Sequence, residues 1–360
     1  MMNSLPTTSA ESTQTKVPQG YVSLTLGQFT CLLDHGAIRR NLLLLGLVIL
    51  ASIASLAIGT VALSPWQVIQ ALFGYGDALS QFVVQDLRLQ RLLAGIYTGA
   101  AFSLAGCLMQ TLARNRLATP GIIGIDNAAM AFAVSSVVST AISIAPSAMA
   151  LAGAATATAL AFGLAGSSGT RGYRFIVAGI GIGAIAGAIT QLMLSQVDID
   201  TANAAYPWTV GSLSARPELM VNILGGGLFF CLIACLLLTH LFSLLPFSDA
   251  VITGLGSSTK WLRLSSLSLS IILTGLAVAV AGPVGLVALI GPEMARVFAR
   301  YRGIPLIGSA LAGAFIMVVA DLIGRTLLSP IELPVGIVTS VVGGPYLIWI
   351  LMRQRSKSTI

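Results

Sequence analysis

Charged side chains are scarce in this chain: Asp, Glu, Lys and Arg make up only 9% of its 360 residues. A typical soluble domain carries about a quarter charged residues, so this chain cannot cover itself with a surface compatible with water. Its two histidines and four cysteines have neither the spacing of a metal site nor that of a disulfide framework. Gly254–Lys260 (GLGSSTK) lacks the Gly-Lys pair of a phosphate-binding loop, and no other segment supplies it. We therefore predict no catalytic residue, no metal site and no cofactor in this chain.

Hydrophobic residues make up 56% of the sequence and recur in apolar runs long enough to cross a membrane. A run of roughly 20 residues spans the hydrocarbon core as a helix, and in lipid such a run must satisfy its backbone hydrogen bonds internally. The short alternating segments of a transmembrane barrel do not occur. The sequence predicts an all-α integral membrane protein with ten spans, at about 41–62, 91–113, 121–142, 147–165, 175–196, 221–245, 262–281, 284–299, 305–327 and 334–352.

The basic residues orient these spans. Ten spans place both termini on one side, and the cytoplasmic side of a membrane protein collects lysine and arginine. With cytoplasmic termini, all but four of the 19 lysines and arginines lie inside. The four outer ones are Arg88, Arg91, Arg216 and Arg325. We predict a multi-pass protein of the bacterial inner membrane with both termini cytoplasmic. Because the basic residues are scattered singly, without interleaved aromatics, nucleic acid is not a predicted partner.

The domain organisation follows from the same pattern. Residues 1–38 are polar and rich in Ser and Thr, without the charged-then-apolar start of a signal peptide. We predict a disordered or loosely attached cytoplasmic extension there. Residues 39–355 are predicted to form a single ten-helix domain.

An internal repeat indicates a transporter. Thr98–Gly106 (TGAAFSLAG) and Thr274–Gly282 (TGLAVAVAG) lie in predicted helices 2 and 7, which run in opposite directions. Inverted repeats are typical of transporters with alternating access, so helices 2–5 and 7–10 are predicted to be the two repeats. Gly179, Gly183 and Gly187 recur every four residues in predicted helix 5, which favours close packing against another helix.

The energy source leaves two alternatives open. Without a nucleotide motif, energy must come from another chain or from an ion gradient. A gradient-driven transporter keeps ionisable residues inside the membrane. Glu293 in predicted helix 8 is the best candidate for a proton relay, and Asp126 and Asp321 lie toward the ends of predicted helices 3 and 9. The other interpretation of Glu293 is a satisfied polar residue between packed helices.

Three blocks of sequence resemble the FecCD-type permeases, which import ferric siderophores, haem and cobalamin. The first contains Arg88–Arg91 (RLQR) and continues through Asp126. The second is Ala281–Arg296 (AGPVGLVALIGPEMAR), and the third is Ala320–Pro345 (ADLIGRTLLSPIELPVGIVTSVVGGP). Gln90 stands where the family usually has Pro, and Glu293 stands where it usually has His.

The resemblance implies a type II ATP-binding-cassette importer. Such an importer has two ten-helix permease subunits, two cytoplasmic ATPases that carry ATP and Mg²⁺, and a periplasmic substrate-binding protein. Trp208–Pro217 and Leu333–Leu351 look most similar to the subunits of ferric-enterobactin-type heterodimers. A ferric siderophore is therefore the expected substrate, with a second, similar permease as partner. Haem and cobalamin are the alternatives within the family.

The resemblance also implies roles for particular residues. Arg88, Arg91 and Arg325 match positions that receive acidic side chains of the binding protein. Simpler roles for them are an intrahelical pair of Arg325 with Asp321, and contact of Arg88 and Arg91 with lipid headgroups.

Residues 246–263 resemble the loop that docks into the ATPase, which has two short helices turning at a glycine. Asp249 is expected at the first helix start, and Gly254 and Gly256 are expected in the turn. Gly172 and Tyr173 match a cytoplasmic gate, and Thr339 and Ser340 are expected to line the translocation path.

Overall fold

The computed structural model describes residues 21–26, 29–59, 61–139, 143–165, 173–299 and 303–355. Helices make up nearly all of it, preceded by one β-hairpin. A π-helical segment (Phe82–Leu89) joins α3 to α4, and a short 3₁₀ turn (Pro120–Ile123) precedes α5. In chain order the strands and α-helices are β1 (Tyr21–Leu26), β2 (Phe29–Asp34), α1 (His35–Ala57), α2 (Pro65–Leu72), α3 (Ala78–Gln81), α4 (Gln90–Ala113), α5 (Ile125–Val138), α6 (Pro146–Ala165), α7 (Tyr173–Ser195), α8 (Ile199–Val210), α9 (Glu218–Leu237), α10 (Thr239–Phe242), α11 (Asp249–Gly254), α12 (Thr259–Ala281), α13 (Gly285–Ala299), α14 (Leu306–Thr326) and α15 (Val335–Arg355).

Ten of these helices correspond to the ten predicted spans. Seven described helices have the length and hydropathy to cross a membrane. The other three spans correspond to α5, α13 and α15, whose apolar stretches are shorter. The ten-helix prediction is thus confirmed, although no single criterion of length would have found all ten.

The central helix is longer than predicted. It runs without a break from Ala78 to Ala113, whereas the apolar pattern placed its start near residue 91. Gln85, Asp86 and Arg88 interrupt the apolar run in sequence, but the backbone continues through them as the π-helical segment. Helix α4 then packs against α12, α13 and α14 and forms the centre of the bundle.

The inverted repeat is visible in the packing. Helix α4 lies against α14, and its counterpart α12 lies against α6, the counterpart of α14 in the other repeat. Gly99 and Gly275 occupy the same position in the two repeated sequences. A Cβ atom on Gly99 would overlap the backbone oxygen of Gly313 in α14, and one on Gly275 would lie 3.4 Å from the Cβ atom of Ala154 in α6. Small residues therefore set the same helix contact twice.

The glycines of α7 also pack as predicted. A Cβ atom on Gly179 would lie 2.6 Å from the backbone oxygen of Ile122, and one on Gly183 would lie 3.2 Å from the Cα atom of Gly124. The contact loosens at Gly187, whose nearest neighbour, Asn127, would be 3.8 Å away. These glycines let α7 approach the start of α5 closely.

The described part of the N-terminal extension contains two strands that were not predicted from the sequence. Residues 21–26 and 29–34 form two antiparallel strands in which Tyr21 pairs with Asp34, whereas the rest of the described structure has only helices as its regular elements. The first membrane helix begins at His35, earlier than the predicted start near 41. Asp34 explains this start, because its side chain accepts a hydrogen bond from the Gly36 backbone N–H at 2.8 Å and so caps the helix.

Candidate functional site

Two ends of the bundle carry the residues with predicted roles. We call the end with Arg88, Arg91, Arg216 and Arg325 the arginine end, and the end with α11 the loop end. A polar cleft lies between them, beside α15.

A buried carboxylate organises the arginine end. Asp321 of α14 is almost fully buried and accepts hydrogen bonds from Arg91 Nε at 3.0 and 3.2 Å. It also pairs with Arg325 Nε at 3.2 Å, the predicted pair four residues apart. Arg91 reaches a second carboxylate, that of Glu332, at 2.8 Å. One acid therefore holds two guanidinium groups, and the three side chains link α4 to α14.

The other contacts of this end tie it to α1. Arg88 is only 9% exposed, and it donates to the backbone oxygens of Leu56 at 2.6 Å and Val61 at 2.5 Å. Arg325 donates to the backbone oxygen of Ser55 at 2.9 Å. Because helix α1 ends with unsatisfied carbonyl groups, these guanidinium groups cap its last turn.

The three arginines predicted to dock a partner thus have partners within the chain. The structure brings Arg91 and Arg325 together on Asp321 and directs Arg88 toward the end of α1. Their docking role stays a prediction.

Arg216, the fourth outer arginine, is held differently. Its guanidinium carbon lies 4.0 Å from the ring centroid of Trp208, a cation–π contact, and its Nε donates to the backbone oxygen of Ser212 at 3.0 Å. Burial lowers the pKa of this guanidinium to about 10, so it stays charged at neutral pH. Among the described residues, its buried Nη2 atom has no hydrogen-bond partner.

A cleft of about 640 Å³ lies between α5, α7, α8 and α15. Thr339 and Ser340, which the family resemblance assigns to the translocation path, line this cleft, and both hydroxyls donate to the backbone oxygen of Gly336, at 3.0 and 2.7 Å. Their role in the path stays a prediction. Tyr206 and Thr209 of α8 face them. Helix α8 was not predicted from the sequence, because its 12 residues are too short for a span. None of the described lining residues is charged.

The predicted gate lies at the edge of the described structure. Gly172 is outside the described residues, and Tyr173 is the first residue of α7. The gate therefore stays a prediction.

The loop between α10 and α12 contains one short helix instead of two. Asp249 begins α11 as predicted, and its carboxylate pairs with Arg263 at 2.6 Å. Gly256 has a φ of 77° and makes the turn, a conformation that favours glycine. Gly254 is the last residue of α11 and does not have a positive φ. The expected second helix is the first turn of α12, since no Gly or Pro separates residues 259–263 from the rest of α12.

Glu293 lies in a network of partners at the loop end. It is 3% exposed and pairs with Arg296 at 2.6 Å and with Arg116 at 3.6 Å. Arg296 also donates to the Gln110 side-chain oxygen at 2.6 Å. This geometry supports the interpretation of Glu293 as a satisfied residue between packed helices. The three-residue spacing of Glu293 and Arg296 was the signal for this pair in the sequence.

The described residues contain no group of three or more His, Cys, Asp or Glu side chains that could hold a metal ion. The candidate site consists of an uncharged polar cleft and two charged networks, one at the arginine end and one at the loop end of the bundle.

Comparison with known proteins identifies the family. The model of the FecCD transport family matches residues 47–353. The achromobactin transport system permease CbrC of Dickeya dadantii is 34% identical over 336 residues, which cover 91% of this chain and 95% of the relative. The ferric enterobactin transport system permease FepG of Escherichia coli is 33% identical, covering 88% of this chain and 96% of the relative.

A solved structure shows the same fold. An inward-facing metal-chelate type ABC transporter aligns with a TM-score of 0.75 at 22% sequence identity, over 88% of this chain and 99% of the other. The ten-helix architecture, the inverted repeat and the family model agree with one another. The chain belongs to the FecCD transport family, the permeases of ATP-binding-cassette importers.

Proposed function

We propose that this chain carries a ferric siderophore complex across the bacterial inner membrane, as one of two permease subunits of an ATP-driven importer. The family supports the permease role, and the relative that is named as a ferric enterobactin permease supports the substrate class. The observation that carries the proposal is the cleft beside α15. Both termini are proposed to be cytoplasmic, which makes the arginine end periplasmic.

The cleft suits a bulky metal complex. Its described lining offers hydroxyl and amide groups from Asn127, Gln191, Tyr206, Thr209 and Thr339, but no charge. Neutral polar groups give contacts weak enough for release, whereas a buried charge would hold an oppositely charged complex strongly. Selectivity is then assigned to the binding protein.

A second permease would complete the cleft. Ser340 is exposed at its edge, and Val341 and Val342 beside it are 68% and 62% exposed. Exposed apolar residues next to a polar cleft are expected where a partner covers them. We propose a second, similar chain there, with the complex passing between the two subunits.

The loop end is proposed to contact the ATPases. Two cytoplasmic ATPase subunits would bind ATP and Mg²⁺ and engage α11 and the turn at Gly256. Asp249 and Arg263 tie this loop to the first turn of α12, so a force on α11 reaches a helix that packs against the central helix α4.

The arginine end is proposed to receive the binding protein. Arg91 is the most accessible of Arg88, Arg91 and Arg325 at this end, with 19% of its side chain exposed. An acidic side chain of the binding protein would compete with Glu332 for it. Charge pairs of this kind raise the encounter rate and fix orientation more than they add affinity.

Uptake measurements test the proposal. Cells that depend on this chain should take up radioactive iron as a ferric catecholate. In a Ser340→Trp variant the uptake rate should fall at least tenfold, because the indole fills the cleft. Leu236→Trp, on the exposed face of α9, is the matched control and should transport normally. Equal rates for the two variants would remove the cleft from the path.

The substrate and energy source are tested in the same cells. Ferric hydroxamate, ferric citrate, haem and cobalamin are offered in parallel with the ferric catecholate. Uptake of haem or cobalamin alone would contradict the siderophore proposal and leave the permease role intact. Uptake that a protonophore abolishes while ATP depletion does not would favour a proton-coupled secondary transporter instead.

A further inference from the structure

A second cavity, of about 520 Å³, lies at the loop end. It is formed where α4 and α13 end and α14 begins, and the segment after α10 closes one side. We call it the arginine cavity, because Arg114, Arg116 and Arg296 line it. Its volume is within the range of about 300–1,000 Å³ found for small-molecule pockets. The proposed transport path does not include this cavity, and of residues 246–263, which resemble the ATPase-docking loop, only Pro246 and Phe247 lie in its wall.

The charge of the cavity is strongly one-sided. None of its described lining residues is acidic. Glu293, which holds Arg296 and Arg116, is 3% exposed and lies outside the lining. One buried acid therefore positions two guanidinium groups without neutralising the cavity. Such a site selects an anion.

The guanidinium groups keep donors for a ligand. Each guanidinium has five N–H donors. Within the described part of the chain, Arg114 donates to the backbone oxygens of Leu245, at 3.0 Å, and of Phe247, and Arg296 donates to Gln110 and Glu293. Arg116 makes only the 3.6 Å pair with Glu293, and its side chain is 60% exposed. Planar guanidinium groups match phosphate oxygens two at a time.

The surroundings favour a lipid over a free anion. The cavity lies at an end of the membrane-spanning helices, and exposed apolar residues continue from it along the segment from α9 to α11. Leu237 is 79% exposed, Leu241 is 38% exposed, and Phe247, in the cavity wall, is 51% exposed. A phospholipid places a phosphate and two apolar chains side by side, which fits both surfaces. Basic pockets between membrane helices are known to bind anionic headgroups.

We propose that the arginine cavity binds the headgroup of an anionic phospholipid, with its acyl chains along the exposed face of α9. Arg116 is the adjustable donor, and Arg296 is fixed by Glu293. The site is independent of which complex the chain transports.

Native mass spectrometry of the full-length chain, purified in detergent and stripped of lipid, tests this proposal. Phosphatidylglycerol should bind at least tenfold more tightly than phosphatidylcholine. Arg116→Gln should weaken phosphatidylglycerol binding about fivefold, since each basic residue near an anionic surface contributes about that factor. Arg116→Lys should retain binding within about twofold on the same reasoning. Lys260→Gln removes an exposed charge at the same end, outside the cavity, and should leave binding unchanged.

Four outcomes would overturn the proposal. Equal binding of the two lipids, or equal losses in Arg116→Gln and Lys260→Gln, would show that the cavity does not select an anionic headgroup. Displacement of phosphatidylglycerol by millimolar inorganic phosphate would identify a free-anion site. Unchanged lipid binding in Arg116→Gln, together with weaker association of the partner ATPase, would make the cavity a protein contact. Because Arg116 is exposed, its substitution is not expected to prevent folding, and a thermal unfolding curve of each variant checks this.

Discussion

Replacing Asp321 by Asn tests whether the arginine end is a structural clamp. The substitution keeps the shape of the side chain and removes its charge. In the native chain this carboxylate is 6% exposed and meets Arg91 Nη2 at 2.9 Å and Arg325 Nε at 3.2 Å. Asn would leave two largely buried guanidinium groups, 19% and 10% exposed, without their shared acid.

The expected cost follows from burial. Breaking a buried ion pair by removing one partner costs about 3–5 kcal/mol. Arg91 keeps Glu332 at 2.8 Å, so we expect a loss near the lower limit, about 3 kcal/mol. Glu332→Gln is the matched control, since it removes the other carboxylate of the same arginine. Its side chain is 47% exposed, and a pair at an exposed site contributes at most about 1 kcal/mol.

The chain carries its own reporters for the assay. Cys107, Cys231 and Cys235 are free and buried, so a thiol-reactive fluorescent dye labels them only as the chain unfolds. At about 2 °C per kcal/mol for a large chain, Asp321→Asn should lower the unfolding temperature by about 6 °C and Glu332→Gln by at most about 2 °C. Equal shifts, or no shift for Asp321→Asn, would refute the idea that the buried acid clamps this end.

Three further predictions follow from the helix contacts and the turn. Gly256→Val should lower the free energy of unfolding by about 1–2 kcal/mol, because valine is strained at a positive φ, and it should impair uptake more than basal ATPase activity. Gly254→Ala is the control and should leave uptake and ATPase activity unchanged. Normal uptake by Gly256→Val would contradict the turn's role. Gly99→Ala should lower the unfolding temperature by about 2–6 °C through overpacking against α14, unlike Gly226→Ala, which has open space. Arg88→Glu should destabilise the chain itself, so a wild-type unfolding curve with lost binding-protein association would instead favour a pure docking role.

The spans could be predicted because hydrophobicity decides them, but their ends could not. The π-helical segment before α4 carries polar residues whose partners lie far along the chain, such as Leu56 for Arg88. An apolar pattern ends at the first of these polar residues, because it contains no information about which distant groups form hydrogen bonds with them. Helix α8 was missed for a related reason: at 12 residues it crosses no membrane, yet it supplies Tyr206 and Thr209 to the cleft.

Sequence similarity within the chain predicted more of the packing than composition did. The repeated motif placed Gly99 and Gly275 at equivalent positions, and each lies in the contact between its helix and the corresponding helix of the repeat. Because the two repeats have the same internal packing, aligning them predicts that a helix contact in one repeat also occurs between the equivalent helices of the other. Glu293 has no such support from the repeat: its three-residue spacing indicated the pair with Arg296, and only the structure shows the pair with Arg116.

Counting basic residues predicted an orientation for the chain but could not tell which of these residues are available to another molecule. The count treats Arg91 and Arg116 alike, although Arg91 has two carboxylates within 3 Å and Arg116 has one at 3.6 Å. Availability depends on acids that are distant in sequence: Asp321 follows Arg91 by 230 residues. In the folded chain the outer arginines of α4 and α14 are largely neutralised, while the arginine cavity at the loop end keeps its positive charge. Among the described residues, the loop end therefore offers an anion an accessible guanidinium group, that of Arg116, at the end opposite to the one that the outer arginines suggested.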